Sequence, residues 1–263
     1  MDQGIYVGID IGSLSSEAVL LGDEGVLAYS ITNTGANPRR AADRCLEDAL
    51  AKVGLDEGAI SQIVATGYGR IRVPFASRQM TEITCHARGA HFLFPRTRTV
   101  IDIGGQDSKV ITLNAHGAVT DFVMNDKCAA GTGRFLEVMA DALETELVDM
   151  GRKSLQAKRG VPISSMCTVF AESEVISLIA EGYKEGEIIR GLHEAISKRI
   201  FRMAKRLRVQ EEIALSGGVA KNQGIAEALK ALFRKRINIP PEPQIVGALG
   251  AALYARDMAL GKG

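Results

Sequence analysis

The sequence predicts an α/β protein that consists of two duplicated halves with a cleft between them. The main observation is a sequence pattern that occurs twice, over residues 5–31 and again over residues 99–124. Each time an apolar strand runs into an Asp-Ile-Gly turn and is followed by an antiparallel meander. An internal repeat of this length is typical of duplicated α/β units that pack against each other. The second observation is helical periodicity around the two copies, which supplies helices to cover two sheets.

The first half begins with a strand at residues 5–9, which ends in the motif DIGS at residues 10–13. Apolar stretches at residues 17–21 and 26–31 flank a Gly-Asp-Glu-Gly turn and predict the next two strands of the meander. Residues 38–53 carry apolar side chains at helical spacing, so we expect a helix there.

The second half repeats this order. A strand at residues 99–101 runs into DIGGQD at residues 102–107, and apolar stretches at residues 110–113 and 119–124 complete the meander. Helical patterns and one short buried strand follow. The predicted helices cover residues 131–143, 169–180, 188–207 and 247–258, and the strand covers residues 213–215. We divide the chain into a first half of residues 1–97 plus 243–263 and a second half of residues 98–242.

Composition and charge exclude several classes of protein. Of the 263 residues 46% are hydrophobic and 24% charged, which is usual for a globular protein. Lys plus Arg number 32 against 31 Asp plus Glu, and nucleic-acid binders usually carry a larger basic excess. The longest apolar stretch, residues 245–255, is about half the length of a membrane-spanning helix. Residues 1–3 lack the features of a secretion signal. We therefore expect a cytoplasmic protein with neither nucleic acid nor membrane as partner.

The two Asp-Ile-Gly turns predict phosphate binding. A strand that ends in Asp-x-Gly offers backbone N–H groups to a phosphate, while the carboxylate can hold Mg²⁺ or its water ligands. One such turn is weak evidence, because many turns contain Asp and Gly. Two turns at equivalent places, together with a Gly-Gly pair after the strand at residues 213–215, predict a nucleotide site whose loops hold the β and γ phosphates from opposite sides.

These motifs supply the candidate site residues. The nucleotide-binding candidates are Gly12, Ser13, Leu14, Ser15, Ser16, Gly104, Gly105, Gln106, Gly217, Gly218 and Val219. The catalytic candidates are Asp10, Asp102, Gln106 and Asp107. We expect Asp10 and Asp102 to hold Mg²⁺, directly or through water. Asp102 and Asp107 are each candidates for magnesium ligand or general base, and the sequence does not choose between these roles.

The order of the three motifs resembles that of the actin, sugar kinase and heat-shock ATPase superfamily over nearly the whole chain. The resemblance implies an actin-like ATPase fold, in which two ribonuclease-H-like halves close over ATP and magnesium and open after hydrolysis. It also implies that Gln244 lies near the nucleotide, and we add Asn222, just after the Gly-Gly pair, to the candidates. Relatives usually have Lys where this chain has Glu17, so Glu17 is not among the candidates.

Two of the four cysteines stand directly before predicted helices. Cys128 lies in NDKCAAGTG and Cys167 in SSMCTVFAESE. A helix N-terminus stabilises a thiolate, and the same field favours an iron–sulfur cluster. A [4Fe–4S] cluster usually takes four thiolates, which a two-fold dimer would supply from two chains. The alternative is two buried cysteines that act as small hydrophobic residues. Spacing alone does not decide between them, since neither belongs to a CxxC motif.

The sequence around both cysteines, together with TGYGR at residues 66–70, resembles the activators of 2-hydroxyacyl-CoA dehydratases and the ATPase subunits of benzoyl-CoA reductase. This resemblance implies a homodimer with one [4Fe–4S] cluster, which Cys128 and Cys167 of both chains hold. It further implies that ATP drives a low-potential electron from ferredoxin or flavodoxin onto the dehydratase. No ligand role follows for Cys45 or Cys85.

Three alternatives remain. The first is the ATPase subunit of a benzoyl-CoA reductase or a related reductase, although GQD at residues 105–107 matches the dehydratase activators better. The second is a small-molecule kinase on the same fold, which needs no cysteine pair and usually has a larger substrate domain. The third is an actin-like filament protein. The contexts of Cys128 and Cys167 favour the activator over all three.

Overall fold

The computed structural model describes residues 4–164 and 167–262. Ser165 and Met166, which precede Cys167 in its motif, and the first three residues, from which we argued against a secretion signal, lie outside this part. Within it, the chain forms two five-stranded sheets covered by helices. The first sheet contains β1 (Ile5–Ile11), β2 (Ser15–Leu21), β3 (Val26–Asn33), β4 (Ile60–Thr66) and β5 (Arg78–Gln79). The second contains β6 (Thr99–Ile103), β7 (Ser108–Leu113), β8 (Val119–Asn125), β9 (Ile213–Ser216) and β10 (Ile237–Asn238).

The two sheets have the same topology, which confirms the predicted duplication. The strand order is β3-β2-β1-β4-β5 in one sheet and β8-β7-β6-β9-β10 in the other. In each, three strands form an antiparallel meander, and two more continue the sheet in parallel beyond the first strand. The central strands β1 and β6 are buried along their whole length, as expected for strands covered on both faces.

Helices cover both faces of the sheets. They are α1 (Pro38–Ala51), α2 (Glu82–Leu93), α3 (Gly133–Ala142), α4 (Leu147–Gln156), α5 (Thr168–Ala180), α6 (Glu185–Ala204), α7 (Gln223–Phe233) and α8 (Val246–Ala259). Helix α6 begins and ends about one turn earlier than the residues 188–207 that the periodicity predicts. No helix in the described part of the chain is both long and apolar enough to cross a membrane.

Helices α2 and α8 lie where the two halves meet. Helix α8 packs on β1, β2 and β4, and α2 packs on α8 and also touches β6, β7 and β9 of the second sheet. Glycines permit this close approach: a Cβ at Gly250 would overlap the Cys85 carbonyl, and one at Gly8 would overlap the Ala248 carbonyl. Strands β1–β5 fall within residues 1–97 and β6–β10 within residues 98–242, while the domain boundaries themselves stay a prediction.

Candidate nucleotide cleft and cysteine pair

A cleft of about 440 Å³ opens between the two sheets, where the carboxyl ends of their parallel strands meet. Most of the sequence-predicted site residues line it. They are Asp10, Gly12, Ser13, Leu14, Ser15, Asp102, Gly104, Gly105, Asp107, Gly217, Gly218, Val219, Asn222 and Gln244. The fold thus brings together residues that are far apart in the sequence.

Two candidates do not line the cleft. Ser16 is fully buried on the opposite face of β2, where its hydroxyl shares a 2.7 Å hydrogen bond with that of Thr34. Alternation along the strand explains this, because neighbouring side chains point to opposite faces. Gln106 is exposed outside the cleft wall. Alternation also turns Glu17 toward the cleft, although the sequence analysis left Glu17 out of the site.

The two candidate phosphate loops close in the same way. The Gly12 N–H donates to the Ser15 carbonyl at 2.9 Å, and the Gly104 N–H donates to the Asp107 carbonyl at 3.0 Å. A glycine after the neighbouring parallel strand supports each aspartate. A Cβ at Gly67, where φ is +85°, would lie 2.3 Å from Asp10 Oδ1, and a Cβ at Gly217, where φ is +86°, would lie 2.9 Å from Asp102 Oδ1. Both the collision and the positive φ require glycine at these two positions. Each half therefore has a glycine packed beside its aspartate.

The charges of the two loops differ. The cross-strand partner of Asp10 is Glu17, whereas that of Asp102 is Lys109. Burial raises the pKa of Asp10 well above its usual value, and repulsion by Glu17 raises it further. Burial also raises the pKa of Glu17, to about 7, against the hydrogen bonds of Ser15 and Gln244. The Gln244 amide donates to the Ser15 hydroxyl at 2.8 Å and to the Glu17 carboxylate at 2.9 Å.

The second loop is organised around a buried lysine. Lys109 is 3% exposed, and its Nζ lies 3.2 Å from Asp102 Oδ2, 2.7 Å from Asp107 Oδ1 and 3.7 Å from Glu82 Oε2. Burial opposes the charged form of Asp102. His86, Lys109 and the Ser216 hydroxyl outweigh that cost, however, and leave the pKa of Asp102 below its usual value. The pKa values of the two aspartates are therefore shifted in opposite directions, downward for Asp102 and upward for Asp10.

These carboxylates suit magnesium bound together with a nucleotide. In the described residues no group of three or more His, Cys, Asp or Glu side chains has the geometry of a metal site. Mg²⁺ in nucleotide sites usually takes only one or two carboxylates and completes its shell with phosphates and water. A cation beside Asp10 would also stabilise its carboxylate and so offset the burial and the repulsion that raise its pKa. The chemistry of the residues thus fits the predicted ion.

The four cysteines divide into two kinds. Cys45 and Cys85 are fully buried, and burial raises the pKa of each to about 12, so both are inert thiols. Cys167, the N-cap residue of α5, is exposed, and Cys128, in the loop before α3, is half-buried. The side-chain amide of Asn125 donates to the Cys128 carbonyl at 2.8 Å and so holds this loop. The two cysteines that the sequence singled out are therefore the two that another molecule can reach.

Hydrogen bonds connect the second phosphate loop to the helix that follows Cys128. The Gly133 N–H donates to the Gly104 carbonyl at 2.9 Å, and the Arg134 N–H donates to the Gly105 carbonyl at 2.8 Å. The first N–H groups of a helix have no partner within the helix, so the phosphate loop satisfies two of them. Two main-chain hydrogen bonds thus join this loop to the first turn of α3.

Residues 7–255 match the sequence profile of the BadF/BadG/BcrA/BcrD ATPase family. The chain belongs to this ATPase family. A protein of Anaerotignum propionicum named activator of lactoyl-CoA dehydratase is 48% identical over 257 residues, which are 96% of this chain and 98% of the relative. A benzoyl-CoA reductase component of Thauera aromatica is 30% identical over 262 residues, which cover 95% of this chain and 92% of the relative.

Solved structures agree with this family assignment. The activator of the 2-hydroxyisocaproyl-CoA dehydratase from Clostridium difficile, determined with bound ADPNP, superposes with a TM-score of 0.94 at 45% identity. The match covers 98% of this chain and 96% of that one. A ROK family glucokinase from Streptomyces griseus superposes with a TM-score of 0.58 at 15% identity, over 97% of this chain and all of the other, and shows the fold alone. The predicted actin-like ATPase fold is confirmed.

The cleft also contains four residues that the motifs did not predict. Glu82 and His86 on α2, Lys109 on β7 and Lys221 after the Gly-Gly pair all line it. Lys109 occupies in the second loop the place that Glu17 occupies in the first, so comparing the two repeated loops position by position could have found it. No comparable signal marks His86, whose role depends on where α2 crosses between the halves.

Proposed function

We propose that this chain is an ATP-dependent activator of a 2-hydroxyacyl-CoA dehydratase. In this proposal it passes a low-potential electron from ferredoxin or flavodoxin through a [4Fe–4S] cluster that bridges two copies of the chain. The observation that carries the proposal is the placement of the two accessible cysteines, Cys167 at the N-cap of α5 and Cys128 in the loop that leads into α3. Helix α3 is in turn hydrogen-bonded to a candidate phosphate loop. The relatives named as dehydratase activators support it.

The cleft is suited to hold the phosphates of ATP between two loops. Backbone N–H groups at Ser13 and Leu14 on one side, and at Gly105 on the other, are the candidate donors, since the Gly12 and Gly104 N–H groups close the turns. Mg²⁺, when bound by Asp10 and Asp102, supplies positive charge against the β and γ phosphates. Val219, Asn222 and Gln244 form the adjoining wall for the rest of the nucleotide.

Asp107 is our candidate for orienting the attacking water. Its carboxylate is partly exposed to the cleft, while Lys109 fixes one of its two oxygens at 2.7 Å. Asp102 is more deeply buried and bonds to both Lys109 and Ser216, which suits a ligand better than a base. A catalytic role for Gln106 requires its loop to turn inward when nucleotide binds.

The cysteine pair fits a cluster shared between two chains. A [4Fe–4S] cluster, when bound, supplies one-electron transfer at low potential and takes four thiolates. One chain offers Cys128 and Cys167, because its other two cysteines are buried, so the full set of four requires a second copy. The N-terminus of α5 at Cys167 favours negative charge at this place.

Coupling between hydrolysis and electron transfer follows from the link between the second phosphate loop and α3. When the loop changes its contacts with the γ phosphate, the carbonyls of Gly104 and Gly105 move, and with them the first turn of α3. Cys128 precedes this turn, so its position responds to the state of the nucleotide. The cleft thus becomes a two-state switch that acts on the cysteines.

The test is to purify the protein without oxygen and to measure iron, sulfide and oligomeric mass together. We expect about four irons per two chains. Cys128→Ser and Cys167→Ser should each lose the iron and keep nucleotide binding. Cys45→Ser is the matched control, because Cys45 is buried in α1 and its Sγ already donates to the Ala42 carbonyl, as a serine hydroxyl can. An iron-free protein that still hydrolyses ATP would contradict the proposal and favour a small-molecule kinase.

The second candidate is the ATPase component of a benzoyl-CoA reductase-like enzyme, which the 30% identical Thauera aromatica relative supports. Both candidates predict the same iron content, so they differ in the electron acceptor. Reduced protein plus ATP should activate an isolated 2-hydroxyacyl-CoA dehydratase if the first proposal is right. All four thiols are free in the structure, in keeping with the cytoplasmic location that we infer.

A further inference from the structure

His86 lies between Asp10 and Asp102, the penultimate residues of the central strands β1 and β6. It is carried by α2 of the first half, is 6% exposed and lines the cleft. Its Nε2 lies 3.8 Å from Asp10 Oδ2, and its Nδ1 lies 3.3 Å from Asp102 Oδ1. One imidazole ring therefore spans carboxylates that belong to different sheets.

The neighbours of His86 hold it in this position. The Ser216 hydroxyl donates to Asp102 Oδ1 at 2.9 Å and lies 3.3 Å from His86 Nδ1. On the other side, a Cβ at Gly247 would overlap Asp10 Oδ2 and come within 2.9 Å of His86 Nε2. The absence of a side chain at Gly247 thus makes room for the contact. Helix α2 itself is fixed by its packing on α8.

The position of His86 affects the distance between the two aspartates. An imidazole is a rigid planar ring with nitrogens on two edges, so it sets the separation of the groups that it touches. The two aspartates are otherwise positioned independently, Asp10 by Gly67 and Asp102 by Gly217 and Lys109. His86 lies between them at the boundary of the halves, with Asp102 at 3.3 Å and Asp10 at 3.8 Å, an ion-pair rather than a hydrogen-bond distance.

We propose that His86 is a positioning residue that ties Asp10 of the first half to Asp102 of the second, so that both carboxylates engage one magnesium–nucleotide at a fixed separation. This inference rests on the proposed use of magnesium in the cleft. His86 acts through the aspartates rather than on the substrate. Its loss therefore affects the contribution of magnesium to binding and turnover more than it affects the nucleotide contacts of the glycine loops.

The test compares the affinity for a fluorescent ADP analogue in excess magnesium with the affinity in EDTA. In His86→Ala we expect the gain from magnesium to fall by about 10–100-fold, the usual cost of losing a partner that orients metal ligands. The affinity in EDTA should stay unchanged, and kcat for ATP should fall more than KM rises. His86→Gln should recover part of the effect, because its amide can still donate to a carboxylate. His91→Gln, on the same helix but outside the cleft wall, is the matched control.

Three results would overturn the inference. An undiminished magnesium effect in folded His86→Ala would show that the aspartates need no link. Equal losses with and without magnesium, with a lower melting temperature and the same behaviour in His91→Gln, would reduce His86 to a packing residue. If the wild-type protein itself gains no affinity from magnesium, the proposed magnesium site fails and this inference fails with it, whereas the iron and sulfide measurement remains a separate test of the cluster.

Discussion

The loop of residues 10–17 and the loop of residues 102–109 face each other across the cleft with the same length and the same turn. Each begins with Asp-Ile-Gly, and the first glycine N–H donates to a carbonyl three residues on. They differ at their middle positions and, with opposite charge, at the last position, which pairs across the strands with the first aspartate. That position is Glu17 in one loop and Lys109 in the other.

This difference shows that a duplicated backbone can shift the pKa values of two equivalent aspartates in opposite directions. In the second loop His86 and Lys109 lower the pKa of Asp102 in spite of its burial. In the first loop burial and Glu17 disfavour the charge on Asp10. The anionic form of Asp102 is therefore favoured by its surroundings, whereas that of Asp10 is disfavoured unless positive charge lies beside it. Five substitutions test this contrast.

Lys109→Met should have the largest effect. It leaves the carboxylates of Asp102, Asp107 and Glu82 without the ammonium that lies among them. Breaking a buried ion pair by removing one partner costs about 3–5 kcal/mol, and we expect that loss in the free energy of unfolding measured with urea. Lys230→Met is the control, since the exposed Lys230–Glu227 pair is worth about 0.5 kcal/mol. Equal losses in both variants would show that the cluster around Lys109 is not special.

Glu17→Gln should stabilise the protein, and more so as the pH rises. The pKa of Glu17 is about 7 in the folded chain against its usual 4.5. Below pH 4.5 the group is protonated in both states and costs nothing. As the pH rises from 4.5 to 7, the unfolded chain ionises first and stability falls. By pH 8 the variant should be more stable than the wild type by on the order of 3 kcal/mol, because each pKa unit corresponds to about 1.4 kcal/mol.

Urea unfolding of both proteins at several pH values from 4 to 8 checks this expectation. The difference between the two should be near zero at the acid end and should reach its full size just above pH 7. A difference that does not change with pH would mean that Glu17 acts through its shape and hydrogen bonds rather than through its charge.

Gly67→Ala and Gly217→Ala test the supports of the two aspartates. Both should lose more than the about 1–2 kcal/mol that positive φ costs an alanine, because each new Cβ would also overlap a backbone carbonyl, that of Ile11 or of Ile103. Each new Cβ also displaces its aspartate, and a shift of about 1 Å at such a site can cost about 100-fold in ATP turnover. Gly54→Ala, at φ +65° with open space around it, should show the same strain and normal turnover. Loss of turnover in all three would trace the effect to strain alone.

Gln244→Leu should have the smallest effect. It removes the amide that donates to Ser15 and Glu17, and a typical hydrogen bond contributes about 1 kcal/mol to stability. Because this bond lowers the pKa of Glu17, the pH at which stability begins to level off should move upward. Unfolding curves of this variant across the same pH range measure both changes. An unchanged profile would show that Gln244 does not control Glu17.

The sequence predicted the strands of both meanders because their apolar stretches are bounded by clear turns. It assigned no element to residues 60–93, where β4, β5 and α2 lie. The buried face of α2 carries Cys85, His86 and Gly89, residues that no hydrophobic periodicity marks. Helices α4 and α7 were missed as well. For the site, the glycine loops were predictable from local motifs, whereas Ser16 was misplaced because alternation along β2 was not applied.

By itself, the sequence determined the duplicated α/β design, the two Asp-Ile-Gly loops and the two cysteines that precede helices. These are local features, since a turn or a helix start depends on neighbours along the chain. Only the tertiary structure decided which charges meet. Asp102 lies beside Lys109 through strand pairing, and His86 lies between Asp10 and Asp102 because α2 crosses from one half to the other. Burial and Coulomb interactions depend on distances in space, and those distances exist only once the sheets have formed and packed.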